Sequence, residues 1–423
     1  MRIAWFAHSW LSDWNHGNAH FLRGLTRALC CRGHQLQWFE PLSGPWGGWS
    51  LQNLVRQEPL RWTSALRDFN QAYPEIRPIF YPLPNKAPQP LPVSGETDTQ
   101  HGLRQKEGAV AAAPFRMADQ NLLPNSRRVS KGVNLISFLK EPLQDMEWVV
   151  VHEWSDAELI QALKRLRHQL GFRLIWHDTH HRGISRPEEI EAYQIHDFDA
   201  VVAFGESLRW AYETRFHARR SYTLHEAADL SVFHPAANGA MTEPAPEVIW
   251  IGNWGDEERT RELEEFLLEP ARRLRGHRFQ VYGVRYPADA RQRLRRAGIA
   301  YSGYLPNPRV PEAYAHGKIA LHIPRQAYRE NLPGVPTIRV FETLACGIAL
   351  LCSPWPETEG LLEPGADYEC AGSGREMEAR IEYLLRHDDE RRSLARHGME
   401  SVRQRHSCEH RAQEWEAICQ DIG

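Results

Sequence analysis

What most constrains this chain is the recurrence of short apolar runs that alternate with longer stretches of helical period. Arg2 to Ala7 is such a run; polar residues around Gly17 follow it, and then Phe21, Leu22, Leu25, Ala28 and Leu29 fall at helical spacing. Gly33-His34 closes that helix, because glycine accepts the left-handed conformation of a C-terminal cap, and Gln35 to Phe39 is extended again. Strand, helix and strand in that order make a parallel βαβ unit. Trp148 to His152, Arg173 to Trp176 and Ala200 to Phe204 continue the pattern as buried strands, separated by helical stretches such as Ala157 to Leu170. A second series places strands at Val248 to Ile251, Phe279 to Tyr282, Ile319 to Ile323 and Ala349 to Cys352. Its helices are expected at Glu258 to Arg275, Val340 to Ala345 and Glu376 to Arg386. The fold class is therefore α/β, with doubly wound parallel sheets.

The 423 residues suggest two to three domains at about 150 residues each. Pro84 to Lys131 is rich in Pro, Gly, Gln, Ser and Ala without a sustained period, and reads as a mobile insertion. Asn238 to Pro246 marks a second boundary, which divides the chain into 1–237 and 238–423, with the last helix expected to pack back on the first part. Lys and Arg number 51 against 54 Asp and Glu, a net charge of -3, so no global positive field draws in nucleic acid, and an anionic ligand must be caught locally. The seven cysteines are scattered and lack a CxxC pair, which argues against a disulfide framework or a structural zinc site and favours a reducing cytoplasm. The N-terminal residues enter a strand at once, and no apolar run approaches the roughly 18 residues of a membrane span. Neither a signal peptide nor a transmembrane segment is expected.

In open parallel sheets, ligands bind beyond the carboxyl ends of the strands. The richest such loop follows Ile319 to Ile323 and contains Arg325, Arg329, Pro336, Thr337 and Arg339. Thr337 is suited to N-cap a helix through Ala345, whose free N–H groups at Thr337, Ile338 and Arg339 accommodate a phosphate. Arg325, Arg329 and Arg339 offer bidentate donors, and Glu342 can accept two hydrogen bonds from a diol such as a ribose.

The run Arg339-Val340-Phe341-Glu342-Thr343-Leu344-Ala345-Cys346-Gly347-Ile348-Ala349-Leu350 resembles the donor-binding signature of GT-B-fold glycosyltransferases, in particular the spore-maturation-protein (CgeB-like) group. His225-Glu226-Ala227-Ala228-Asp229-Leu230-Ser231-Val232-Phe233-His234-Pro235 is similar to the segment closing the N-terminal domain of such enzymes. Ile251-Gly252-Asn253-Trp254 resembles the opening of their donor domain, and Asp388 to His406 resembles their tail. The resemblance covers most of the chain except the insertion. It implies two Rossmann-like domains facing across a cleft, with a nucleotide-sugar donor held by the second and an acceptor by the first. Glu342 then matches the ribose-binding glutamate. The earlier glutamate of the E-x7-E pattern of many retaining relatives is here Gly334, which leaves the stereochemistry open.

The loop His177-Asp178-Thr179-His180-His181-Arg182 directly follows the strand ending at Trp176, and in such enzymes a His at a similar strand end faces the transferred sugar. The resemblance makes His177 a group that orients a sugar hydroxyl or takes the acceptor proton with Asp178 nearby. The plainer reading has these side chains capping loops, and a metal reading of His177, His180 and His181 lacks a matching carboxylate spacing. Asp13 and His16, in the loop after the first strand, are alternative bases or solvated loop residues. Glu153 is a carboxylate at another strand end, followed by Ser155 or Asp156 as a helix cap. Asp197-Phe198-Asp199 spells a DxD but precedes its strand and reads as a turn, Gly17 to Gly24 does not complete a dinucleotide fingerprint, and the arginines of Arg291 to Arg296 form a solvated face.

The expected activity is glycosyl transfer from a nucleotide-sugar to a small molecule, a glycan or a lipid-linked sugar, without cofactor or metal. Asn253 would line the phosphate side. A nucleotide-sugar isomerase or hydrolase and a non-catalytic sugar- or nucleotide-binding subunit are the alternatives.

Overall fold

The computed structural model of the protein describes residues 1–10, 17–41, 62–83, 134–236, 245–255 and 258–423. The insertion expected at 84–131 lies outside the described residues, as does most of the boundary at 238–246.

Seven strands form the first sheet: β1 (Arg2–Phe6), β2 (Gln35–Pro41), β3 (Ile79–Tyr81), β4 (Trp148–His152), β5 (Arg173–Asp178), β6 (Ala200–Ala203) and β7 (Ser221–Thr223). They are parallel throughout, in the order β3-β2-β1-β4-β5-β6-β7. The second sheet holds β8 (Val248–Ile251), β9 (Phe279–Tyr282), β10 (Ala300–Tyr301), β11 (Ile319–His322), β12 (Ala349–Cys352) and β13 (Glu369–Cys370), also parallel, in the order β10-β9-β8-β11-β12-β13. Strand order reverses between β1 and β4 and again between β8 and β11, and such reversals open a crevice at the carboxyl ends.

Alternation along β1 shows how the sequence pays for two covered faces. Ile3 and Trp5 join the core on one side of the sheet, and Ala4 and Phe6 the core on the other. The central strands are apolar on both faces for that reason, and every residue of β4 is buried. One face of the first sheet is covered by the helix Gly17–Cys31 together with the last helix, Cys408–Ile422, whose Trp415 meets Trp5 at 4.8 Å between ring centroids. Ala228 pairs with Ser407 where the chain returns.

The long helix expected at Glu258 to Arg275 runs from Thr260 to Arg273 and widens into a π turn over Glu264–Leu268. Pro270 has no N–H to give to the turn before it, and the wider turn still buries Phe266, Leu267 and Leu268. The helix expected from Val340 begins at Ile338. Strands β3, β7, β10 and β13 were not expected; at two or three residues each they are too short for alternation to register. In Ala288–Arg296 the buried residues are Ala290 and Leu294, so its arginines do form the outer face. Among the described residues no helix is long and apolar enough to cross a membrane.

Trp415 is fully buried against the first sheet although it lies near the end of the chain. Trp415→Ala is expected to destabilise the fold by about 3–5 kcal/mol, measured by urea unfolding.

Candidate active site

The crevice at the reversal of the second sheet is lined by cations. Arg259 directs Nη1 at the Ile323 carbonyl (3.2 Å), while its Nε is buried without a partner. Burial, followed by the charge of Arg325, pushes its pKa down to about 9. No carboxylate lies within ion-pair distance of Arg259 among the described residues, whereas its neighbours are matched: Arg325 to Glu258 (2.9 Å), Arg329 to Glu262 (3.6 Å) and Glu330 (3.4 Å), and Arg339 to Glu342 (2.8 Å). His322, at the end of β11, is pushed down to about 3 by burial and then by Arg259 and Arg339, so it is neutral. Its Nε2 lies 3.1 Å from the Thr337 hydroxyl, and its Nδ1 is buried without a partner. Asn253 accepts from the Val284 amide at 3.2 Å, which ties the loop after β8 to the loop after β9.

Thr337 occupies the N-cap of the Ile338–Ala345 helix with extended dihedrals, but its hydroxyl makes no cap bond and goes to His322 instead. Glu226, from the segment after β7, is a buried carboxyl whose electrostatic surroundings include the Ile338 amide and Glu342. Burial pushes this carboxyl well above the usual glutamate range; the Ile338 amide opposes the shift and the charge of Glu342 adds to it. The Oε1 atom of Glu226 is buried without a partner.

Glu342 is fully buried. His20 Nδ1 donates to its Oε1 at 2.7 Å and Asn307 Nδ2 to the same oxygen at 3.3 Å, while Arg339 Nη1 lies 2.8 Å from Oε2. Burial alone would raise its pKa, but the charges of His20 and Arg339 and the bonds from His20 and Asn307 outweigh it and hold the carboxyl below its usual value. Of the two oxygens expected to hold a ribose, Oε1 is thus hydrogen-bonded while Oε2 is only within ion-pair distance of Arg339, and the carboxylate joins the first helix to the second half.

On the facing side, His8, His152 and His177 stand at the ends of β1, β4 and β5. The His177 ring lies 5.6 Å from Trp5, 5.5 Å from His152 and 6.2 Å from Phe21 between centroids. Neither of its nitrogens has a partner, and burial pushes it down to about 3. Asp178 does not join it. Successive residues of a strand point to opposite faces, and Asp178 instead accepts from the Tyr212 hydroxyl and from the His180 amide (2.7 Å). Burial raises Asp178 to about 6 against those bonds and Arg182. Asp178 thus does not stand behind His177, whose two unbonded ring nitrogens remain able to exchange hydrogen bonds.

The rest of this loop meets the second half. Tyr328 lies 5.9 Å from His180 and 5.0 Å from His181, and Leu332 and Val335 enter the core of the first half. Glu153 pairs with buried Arg182, which lies 3.8 Å over Trp154, so this carboxylate is neutralised within the structure. Ser155 and Asp156 precede the helix Ala157–Leu170, and Asp156 holds its N-cap position without a side-chain cap bond. Asp13 and His16 lie outside the described residues. Among the described residues no three His, Cys, Asp or Glu side chains are grouped to hold a metal ion. Asp197 and Asp199 pair with Lys164 and Arg167 at the opposite end of the sheet. Gly334 has a φ of +82°, and a Cβ there would lie 2.1 Å from the Thr358 hydroxyl oxygen, so no glutamate fits this backbone.

Sequence reasoning missed Arg259, His322, Glu226, His20 and Asn307. Glu226 was visible within the His225 to Pro235 run; His20, by contrast, meets a partner 322 positions away and carried no local signal.

Residues 259–417 match the family model described as glycosyl transferase-like. No curated protein matches the chain. Among solved structures, sucrose-phosphate synthase from Thermosynechococcus elongatus is similar at 12% identity, with a TM-score of 0.60 over 100% of this chain and 99% of that one. Anabaena HepE in complex with UDP and glucose is similar at 11% identity, with a TM-score of 0.62 over 100% of both chains. T4 phage BGT in complex with UDP-glucose is similar at 12% identity, with a TM-score of 0.51 over 100% of this chain and 99% of that one. At these identities the likeness is one of fold, and the fold is GT-B, as expected: two parallel α/β sheets facing across a cleft.

A carboxyl whose folded pKa lies below its unfolded value stabilises the fold above its usual value, 4.5 for Glu342, and loses that contribution as the pH falls through the folded value. Glu342→Gln is therefore expected to cost about 3 kcal/mol at neutral pH, because Arg339 loses its buried counter-charge. The gap to the wild type should close as urea unfolding is repeated at successively lower pH below 4.5.

Proposed function

We propose that the protein is a glycosyltransferase of the CgeB-like group that moves a sugar from a nucleotide-sugar donor to an acceptor, with residues 238–423 on the donor side and 1–237 on the acceptor side. The observation that carries this reading is Arg259, a guanidinium with a buried, unbonded Nε and no carboxylate partner among the described residues, at the sheet reversal where ligands of such folds bind. A cation kept out of water without a counter-charge is costly, and a diphosphate, which matches the planar fork of arginine, relieves that cost. The glycosyl transferase-like match of residues 259–417 supports the same assignment.

As the bond between the anomeric carbon and the phosphate oxygen breaks, negative charge grows on the departing nucleoside diphosphate. Arg259, Arg325 and Arg339 stand ready to neutralise it, and preformed charges of this kind lower the barrier because they need no rearrangement. Arg325 and Arg329 exchange Glu258 and Glu262 for phosphate oxygens, and Asn253 keeps the β8 loop in place beside them. The transfer as proposed uses these guanidinium groups and no metal ion. Glu342 takes the ribose diol by trading its bonds to His20 and Asn307 for the two hydroxyls, and His177 gives a neutral hydrogen bond to the sugar. Asp13 and His16 are left as the candidate bases. The acceptor is a small molecule, a glycan or a lipid-linked sugar. We place the protein in the cytoplasm, a reading supported by its seven free thiols.

UDP is the first nucleotide to test, since HepE and the T4 phage enzyme were each solved with UDP or a UDP-sugar. Arg259→Ala is expected to weaken UDP binding by about 10- to 100-fold, the worth of a hydrogen bond to a charged group, with little loss of thermal stability. Calorimetry showing unchanged affinity would remove Arg259 from the site. Binding of UDP-sugars without consumption across an acceptor panel would leave a sugar-nucleotide-binding protein instead.

A further inference from the structure

His152 has no part in the transfer described above, yet it stands beside His177 where the first sheet opens. The two residues are register partners at the carboxyl ends of β4 and β5, so both side chains leave the same face of the sheet, and their rings lie 5.5 Å apart between centroids. Strand order reverses between β1 and β4, which puts the pair beside the crevice of this sheet. Both residues are fully buried. Trp5 and Phe21 wall the His177 ring without bonding to it, at 5.6 and 6.2 Å. His152 Nε2 meets the Thr179 hydroxyl at 3.1 Å, which sets the angle of its ring. The Nδ1 of His152 and both ring nitrogens of His177 have no partner among the described residues. Three unbonded nitrogens on two adjoining buried rings are costly, and apolar side chains would fill the same space without that cost.

A neutral imidazole has one N–H and one lone pair. If His152 donates to Thr179 through Nε2, its Nδ1 can only accept; if it accepts there, Nδ1 can only donate. His177 offers one of each. A hydroxyl answers either demand because it both donates and accepts, whereas a carboxylate only accepts and an ammonium only donates. Two hydroxyls on neighbouring carbons of a sugar ring present such groups side by side. We infer that His152 and His177 together form a subsite for two hydroxyls of an uncharged sugar, so that the donor carries a neutral sugar in preference to a hexuronate or an amino sugar with a free ammonium. The surroundings agree with this class. Arg182 is paired with Glu153, which leaves it no charge to spare for a sugar carboxylate, and burial keeps both rings neutral. Neither ring makes or breaks a covalent bond. The inference rests on the glycosyltransferase reading and names the class of sugar at that site, and the diphosphate contacts of Arg259 do not depend on it.

The test measures, by calorimetry, the affinity of the wild type, His152→Gln and His152→Asn for UDP, UDP-glucose, UDP-galactose, UDP-N-acetylglucosamine and UDP-glucuronate. Glutamine carries its amide near the Nε2 position and keeps the Thr179 bond but lacks Nδ1, whereas asparagine carries its amide near Nδ1 and gives up Thr179. His152→Gln is expected to weaken the best neutral UDP-sugar about tenfold while UDP stays within about twofold, and His152→Asn to stay within about threefold for both. If the glutamine variant does not fold, His152→Phe keeps a ring without nitrogens and replaces it. An unchanged affinity for the neutral sugar nucleotide in the variant lacking Nδ1 overturns the inference. So does an equal loss in both variants, or a loss shared by UDP, because His152 would then serve the structure alone, and so does a wild type that binds UDP-glucuronate as tightly as the neutral sugars. When the wild type binds UDP and Arg259→Ala loses it, any of these results sinks the subsite and leaves the functional reading in place. If the wild type binds neither UDP nor any of these sugar nucleotides, both fall together.

Discussion

A carboxylate taken wholly out of water is tolerated only where cations and donors surround it, and Glu342 meets that condition with groups from both halves of the chain. His20 comes from the first helix, and Asn307 and Arg339 come from the second half. Removing either side would leave a buried charge short of partners, so the two sheets are held face to face by the cost of separating this cluster as well as by apolar contact. Other bonds across the halves repeat the arrangement at the rim, where Arg309 meets Asp68 at 2.9 Å and the Glu206 amide meets Glu359 at 2.9 Å. The Arg309–Asp68 pair is half solvated and weak, whereas the largely buried Glu359 also pairs with His225 and is a second polar tie beside Glu342.

Everything that bears on chemistry follows from which strand ends that tie brings together. Arg259, Arg325 and Arg339 converge beyond the carboxyl ends of β8 and β11, where Arg325 and Arg339 face carboxylates and Arg259 has none among the described residues. The facing wall holds imidazoles that burial keeps neutral, His177 and His181 among them. Neutral hydrogen-bonding imidazoles on one side and guanidinium groups on the other are what the proposed sugar-nucleotide ligand, part uncharged polyol and part anion, would require.

Much of the fold was legible because its signals are local. Val149, Val150 and Val151 are apolar in succession since a central parallel strand is covered on both faces, and Gly171 closes the helix Ala157–Leu170 with a φ of +80°. The donor-side loop could be located for the same reason, from its place after a buried strand. Individual roles were less accessible. His177 and Asp178 are neighbours in sequence, but the two-residue period of a strand sends them to different cores, one beside Trp5 and the other beside Tyr212. Thr337 stands at a helix start, yet its hydroxyl is taken by His322.

The sequence alone determined the longer central strands and main helices, the two parallel sheets they form and the loops from which a ligand site had to be built, but not the two- and three-residue edge strands, because hydrophobic period and turn chemistry register only over several residues. Gly334 is likewise a local matter, a backbone at positive φ. Only the tertiary structure decided which charges lack partners. Among the described residues Arg259 has no carboxylate at ion-pair distance, and Glu342 is met by a histidine 322 positions away, since burial and electrostatics depend on what long-range packing places within a few ångströms.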